Sequence, residues 1–474
     1  MDRLSALDVS FLTNETSSAH MHVGGVMIFE GPPPSYDDLV EHVRSRAHLV
    51  PRFHQKLAYP PAQTGRPFWI DDPTFNLEYH IRHSALPAPG SEEQLRRMTG
   101  RIFSQQLDRS KPLWELWLVQ GLTRKRFALL TKTHHSLVDG VSGVDIATVL
   151  FDLQPVPDPV EPDTDWVPDP EPSQATMLAR GIEDVAKAPI GLARRLQGAI
   201  EHPERAIARV GEAVEGIGEI GWALANPAPD VPLNVPIGSH RRFEWIRSDL
   251  DHFKRVKNAF GGTVNDVVLA VVSGALRAWL HGRGVRTDGL ELRAQVPVST
   301  RGTDERGQLG NQIVALRTPL PVYIEDPVAR LQRVSESMGD VKNSKQAVGA
   351  EVISRFNDFA PPTLLAQAAR LNFSTRLFNV VVTNVPGPQM PLYILGRELE
   401  DIFPVGFLPP NQALFVAVMS YNGQVNFGLL ADYDAVDDVG VIATAIERAL
   451  AELVEAAAEA EKSAEPAEAE ASRS

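Results

Sequence analysis

RFALLTKTHHSLVDG, residues 126–140, decides how the rest of the chain is read. Arg126 to Thr133 has the apolar, threonine-bearing make-up of a buried strand. Val141 to Phe151 (VSGVDIATVLF) has helical spacing. Between them lies a corner, His134-His135-Ser136-Leu137-Val138-Asp139-Gly140. A histidine at a strand end sits at a sheet edge, and its unperturbed pKa of about 6.5 lets it take and return a proton near neutrality. Asp139-Gly140 suits a tight turn, since glycine accepts backbone angles that other residues resist.

Outward from this corner the chain alternates strand and helix signals. Met21 to Glu30 reads as a strand ended by GPPP. Ser35 opens a helix, and Ser91 with Gln94 forms a capping box for another that runs to about Leu107. Leu116 to Val119 is a further strand. Composition then shifts. From Pro155 to Pro172 there are seven prolines and six acidic residues with no lysine or arginine, which predicts an extended, solvated linker. Residues 176–225 turn helical and amphipathic, with Ile207, Val210, Val214, Ile217 and Leu224 on one period and several arginines between them. That bridge either packs on the body or rests on lipid.

After Pro236 a second α/β region begins. A helix over 249–260 stops at Gly261-Gly262, and Thr263 with Asp266 caps the next, which runs to about Leu280. Strands are expected at 290–298, 312–317 and 378–383, and Asp326-Pro327 starts a helix. Asn422-Gly423 between two apolar runs is a hairpin signal. The organisation is therefore 1–153, a 154–235 linker and helical bridge, 236–456, and an Ala/Glu tail over 457–474 expected to be disordered.

Composition narrows the function. The 474 residues carry a net charge of −14, which argues against nucleic-acid binding. There is no cysteine, so thiolate nucleophiles and thiolate metal sites are excluded. No secretory leader is read at the N-terminus, and no apolar run is long enough to span a bilayer. GxSxG, GxxxxGK[ST] and HExxH are absent. His134, His135 and Asp139 are all metal-ligand types, but adjacent side chains diverge and no further ligands are evident, so no metal is expected. Two readings stay open: both histidines simply donate and accept at a turn, or one is a base that can deprotonate an acceptor hydroxyl, whose oxygen attacks an activated carbonyl with no enzyme-bound intermediate.

HHSLVDG resembles the HHxxxDG signature of the bacterial wax ester synthase/diacylglycerol acyltransferase family, within the chloramphenicol acetyltransferase-like CoA-dependent acyltransferases. Other landmarks follow in that family's order: LDVSFL and Met21-His22-Val23-Gly24, Pro112-Leu113-Trp114, Asn265-Asp266-Val267-Val268, Val296-Pro297-Val298-Ser299, Gly310-Asn311, Asn384-Val385-Pro386-Gly387-Pro388 and Ser420-Tyr421-Asn422-Gly423. The resemblance covers roughly residues 4–455. Thr383 departs from it, standing where the family more often has serine.

The resemblance implies an α/β protein of two chloramphenicol-acetyltransferase-like subdomains, with mixed sheets flanked by helices and an active-site tunnel between them. It implies His135 as general base, taking the hydroxyl proton of diacylglycerol or a fatty alcohol, with long-chain acyl-CoA as the acyl donor and no other cofactor. His134 would fix the loop and its neighbour's tautomer. Asp139 would hold the corner by pairing with an arginine, Arg301 being one choice, while Gly140 allows the turn. Asn265 would orient substrate or stabilise developing charge, although a local role in its helix turn is also open. Trp114, Thr383, Asn384 and Gly387 are candidates for lining the substrate channel. Glu15 and His22 are read as surface or core residues without an assigned role. The expected setting is cytoplasmic, in peripheral contact with the inner membrane face or lipid droplets. Rival readings are an acyltransferase acting on a polyketide or glycolipid hydroxyl, and a non-catalytic lipid-binding relative.

Overall fold

The computed structural model describes residues 1–61, 65–138, 150–156, 166–180, 226–299, 313–343 and 374–471. Three sheets organise them. A small antiparallel sheet joins β1 (Asp2–Arg3), β3 (Gln55–Ala58) and β4 (Phe68–Asp71). The first large sheet contains β2 (His22–Phe29), β5 (Ile81–Ala85), β6 (Trp114–Gln120) and β7 (Phe127–His134), together with β12 (Tyr393–Ile394) and β13 (Arg397–Val405). Its order is β12-β13-β2-β7-β6-β5, and only β5 and β6 run parallel. The second large sheet contains β8 (Arg241–Asp249), β9 (Leu292–Ser299), β10 (Ile313–Leu320), β11 (Val380–Pro386), β14 (Leu414–Tyr421) and β15 (Gln424–Asp432). Its order is β10-β9-β11-β14-β15-β8, with β11 parallel to both neighbours. The architecture is thus α/β with two mixed sheets, as expected.

The sheets do not divide where the sequence was divided. β12 and β13 lie well beyond residue 236, yet β13 pairs with β2 from Phe29 to Gly24. A strand from the second half is therefore built into the first sheet. The halves are also joined by apolar packing. Phe11, Val26, Phe103 and Leu130 share one buried cluster with Trp245, Val381, Phe403, Phe407 and Phe415. Trp245 stacks on Phe403 at 4.5 Å between ring centroids. At Gly428 the backbones nearly touch: a β-carbon there would stand 1.8 Å from the Pro404 carbonyl oxygen. Arg247 ties the same seam, donating to Asp401 at 2.9 Å and to Glu92 at 2.8 Å.

The helix Val264–Gly282 is buried along most of its length, packed between the second sheet and the helices Leu250–Phe260, Pro327–Asn343 and Val439–Ala471. Its Thr263–Asp266 capping box forms as read from the sequence. The C-terminal helix continues to Ala471, through the stretch expected to be disordered. Alanine and glutamate, which make a poor core, are also strong helix formers, and Arg255 pairs with Glu461 on this extension. Nor is the Pro-rich linker wholly solvated. Within it Trp166 stacks on His54 at 4.5 Å; on either side of it, Asp152 forms a buried ion pair with Arg46 at 2.7 Å and Met177 packs on Ala58, Phe68 and Ile70. Almost all of the amphipathic bridge lies outside the described residues.

Candidate active site

The corner forms where β7 ends. His134 is the last residue of the strand and His135 the first of a short helix, His135–Val138. Two backbone bonds fix it: His134 N–H donates to the Leu113 carbonyl at 3.0 Å, and His135 N–H to the Met21 carbonyl at 2.8 Å. Leu137 is fully buried beneath. Asp139, Gly140 and Arg301 lie outside the described residues.

The two histidines differ sharply. His134 is 1% exposed. Its Nδ1 accepts the Ser136 backbone N–H at 3.1 Å and lies 2.7 Å from Ser136 Oγ. The ring proton therefore sits on Nε2, which faces Glu15 Oε2 at 3.5 Å. His135 is only half-buried. Phe11 lies flat on its ring at 3.9 Å between centroids, and Phe407 meets it edge-on at 5.5 Å. Its Nδ1 is buried.

Glu15, assigned no role from the sequence, stands at the centre of the buried polar groups below the corner. It follows the N-terminal helix Ala6–Asn14, and its side chain is 2% exposed. Arg109 donates to Oε2 through Nε at 2.8 Å and also through Nη2. Oε1 lies 3.3 Å from His22 Nε2. His22 faces His134 directly in the β2–β7 register. The same His22 nitrogen is 3.4 Å from the Leu107 N–H. It cannot accept from that amide and donate to the carboxylate at once, and the charge-assisted contact is the stronger. Burial alone would raise the Glu15 carboxyl, but its contacts with His134 and His22 outweigh burial and hold it well below the usual carboxylate range. Burial holds the His22 imidazole down at about 3 and lowers His134 in the same direction. The cluster therefore contains one carboxylate, one guanidinium and two neutral imidazoles.

Lys132, two residues before His134 on the same face of β7, is also buried. Its amine donates to the Ile102 and Gln105 carbonyls at the end of the helix Glu92–Phe103, and burial lowers it to about 8. This ties the histidine-bearing strand to that helix.

The second half brings two predicted residues together: Asn384 Nδ2 donates to Asn265 Oδ1 at 3.4 Å. The alternation of β11 explains the pairing. Val380 and Val382 face the helix layer, as Asn384 then does, and Asn265 lies in the first turn of the buried helix there. Val381 faces the seam between the sheets, so Thr383 shares that side. Gly387 N–H donates to Ser420 Oγ at 3.3 Å. Trp114 is a core residue: it is 3% exposed, donates to the Phe53 carbonyl at 3.0 Å, and lies between Phe53 and His80. Among the described residues no group of three histidines or carboxylates is arranged to hold a metal ion.

Solved structures locate the fold among acyltransferases. The chain superposes on the wax ester synthase/diacylglycerol acyltransferase of Marinobacter aquaeolei VT8 with a TM-score of 0.67 and 30% identity, covering 96% of this chain and 100% of that one. The first condensation domain of the calcium-dependent antibiotic synthetase shares the fold at a TM-score of 0.57 and 16% identity, over 96% of each chain. Residues 4–268 match the wax ester synthase/diacylglycerol acyltransferase catalytic domain, and residues 309–454 match the C-terminal domain of the same family. A Mycobacterium tuberculosis relative named "Probable diacyglycerol O-acyltransferase tgs1" is 33% identical, over 96% of this chain and 96% of its own length. The chain belongs to the wax ester synthase/diacylglycerol acyltransferase family and is an acyltransferase.

Proposed function

We propose that this acyltransferase moves a long-chain acyl group from acyl-CoA to the hydroxyl of diacylglycerol, of a long-chain fatty alcohol, or of both. His135 Nε2 takes the hydroxyl proton as the oxygen attacks the thioester carbonyl. The tetrahedral adduct collapses with loss of the CoA thiolate, and His135 returns the proton to that sulfur. The observation that carries this reading is the contrast within the pair: His134 is sealed, its Nδ1 taken by the Ser136 N–H and its Nε2 facing Glu15, while His135 is plated by Phe11 and only half-buried. Asn265, whose amide oxygen accepts from Asn384, donates through its own amide N–H groups toward substrate in this reading. No metal or cofactor takes part beyond acyl-CoA as substrate.

The lipid acceptor is met at a membrane or droplet surface by peripheral contact on the cytoplasmic side. Among the described residues no single helix is long and apolar enough to cross a membrane. The test supplies radiolabelled palmitoyl-CoA with hexadecanol and dioleoylglycerol in parallel. Labelled wax ester or triacylglycerol is expected. Transfer to neither acceptor, with enzyme that still binds acyl-CoA, overturns the substrate assignment.

A further inference from the structure

We propose that Glu15 is a positioning residue: its carboxylate, pinned by Arg109, selects the Nε2-protonated neutral tautomer of His134 and so holds the corner that presents His135. This rests on reading His135 as the base.

Four observations carry it. First, Glu15 is a carboxylate buried at 2% exposure, a costly state unless the charge is paired. Second, Arg109 is 38% exposed and supplies the countercharge from the solvent side, yet the carboxylate also reaches inward to two imidazoles on opposed strands. An ion pair that served only to close the surface would not need them. Third, the Ser136 N–H occupies His134 Nδ1, so the proton must be on Nε2, the atom that faces Glu15. Both ends of the ring thus specify one tautomer, the arrangement by which a buried carboxylate orients a histidine. Fourth, Glu15 lies one helical turn after Phe11, and its N–H donates to the Phe11 carbonyl at 3.1 Å. The same short helix and its C-cap therefore meet the face of His135 through Phe11 and the edge of His134 through Glu15. The capping box of Ser5 and Asp8 fixes the start of that helix.

The test separates positioning from bulk stability. Histidine-selective ¹⁵N labelling and long-range ¹H–¹⁵N correlation read the tautomer of each ring, assigned through His134→Gln. In the wild-type protein His134 is expected as neutral Nε2–H. An Nδ1–H or doubly protonated ring there overturns the proposal without any Glu15 variant. E15Q keeps the shape and removes the charge. It is expected to lower kcat by about tenfold or more with KM for acyl-CoA within twofold, and to mix the His134 tautomers, while E15D recovers part of kcat. E15Q with wild-type kcat and an unchanged spectrum overturns the proposal. So does a loss confined to thermal stability. His135→Ala, run beside these, tests the base itself. If it stays active the base assignment fails, whereas the wild-type tautomer still decides the role of Glu15.

Discussion

Phe11 lies on His135 with ring centroids 3.9 Å apart and planes 22° from parallel. A stacked aromatic excludes water from one face of the imidazole and blocks rotation about its side-chain bonds. Such a contact is worth about 0.5–1.5 kcal/mol beyond area burial. Phe11→Leu keeps the apolar volume and loses the plate. It is expected to lower kcat by roughly two- to tenfold, with little change in KM, in a steady-state assay on detergent-dispersed acceptor. An unchanged kcat would show that the stack serves folding alone.

The Asn265–Asn384 bond joins the first turn of a buried helix to the end of a central strand. If that bond orients the Asn265 amide for the reaction, the two residues act as a unit. Asn265→Ala and Asn384→Ala are each expected to lower kcat, and the double variant to lose less than their sum. The coupling should be about 0.5–1.5 kcal/mol in a double-mutant cycle. Strict additivity would mean the two act separately.

Acid should unfold this protein earlier than its carboxylates alone would require. Burial holds His22 down at about 3 and His80 at about 4, and lowers His20, His42 and His134 as well. As pH falls below about 6.5 these imidazoles take up protons in the unfolded chain before they do so in the folded one. Unfolding therefore binds protons, and stability is complete above that pH and falls as pH drops toward 3. Each histidine kept neutral contributes a slope of about 1.4 kcal/mol per pH unit. Glu15 acts in the same direction, since its depressed carboxyl stabilises the fold above the ordinary carboxylate range and loses that effect only at lower pH. Urea midpoints measured from pH 7.5 to 4.5 should fall steadily. A flat profile would mean that these histidines are protonated in the fold.

The seam at Gly428 leaves no room for a side chain. Gly428→Ala places its β-carbon 1.8 Å from the Pro404 carbonyl oxygen. The sheets must separate, at a cost of about 3 kcal/mol. Gly440, in the first turn of the C-terminal helix, has nothing within 4 Å of such a carbon. Gly440→Ala should stabilise by about 0.5–1 kcal/mol. Chemical denaturation of the pair checks both signs.

Much of this was legible from local pattern. The His-His corner, the Thr263–Asp266 cap and the Asn422-Gly423 hairpin are each specified within a few residues, and each stands where the sequence puts it. Glu15 was not legible in the same way. Its partners Arg109 and His134 are distant in sequence, and burial of a carboxylate is a property of the packed fold. The one local hint is a charged residue directly after an apolar, capped helix that lacks a C-terminal glycine. β13 shows the same limit: RELEDIFPV can pair wherever an edge is offered, and only packing assigns it to β2. Trp114 illustrates the reverse case, where a motif residue proves to be core because His80 and Phe53 enclose it.

The central claim is that His135 moves the proton during acyl transfer. The direct measurement is the initial rate of label transfer from palmitoyl-CoA to each acceptor by wild-type and His135→Ala protein of matched circular dichroism. The account predicts a fall of about 10²–10⁴-fold for the variant. A variant that transfers the acyl group at near the wild-type rate would contradict it.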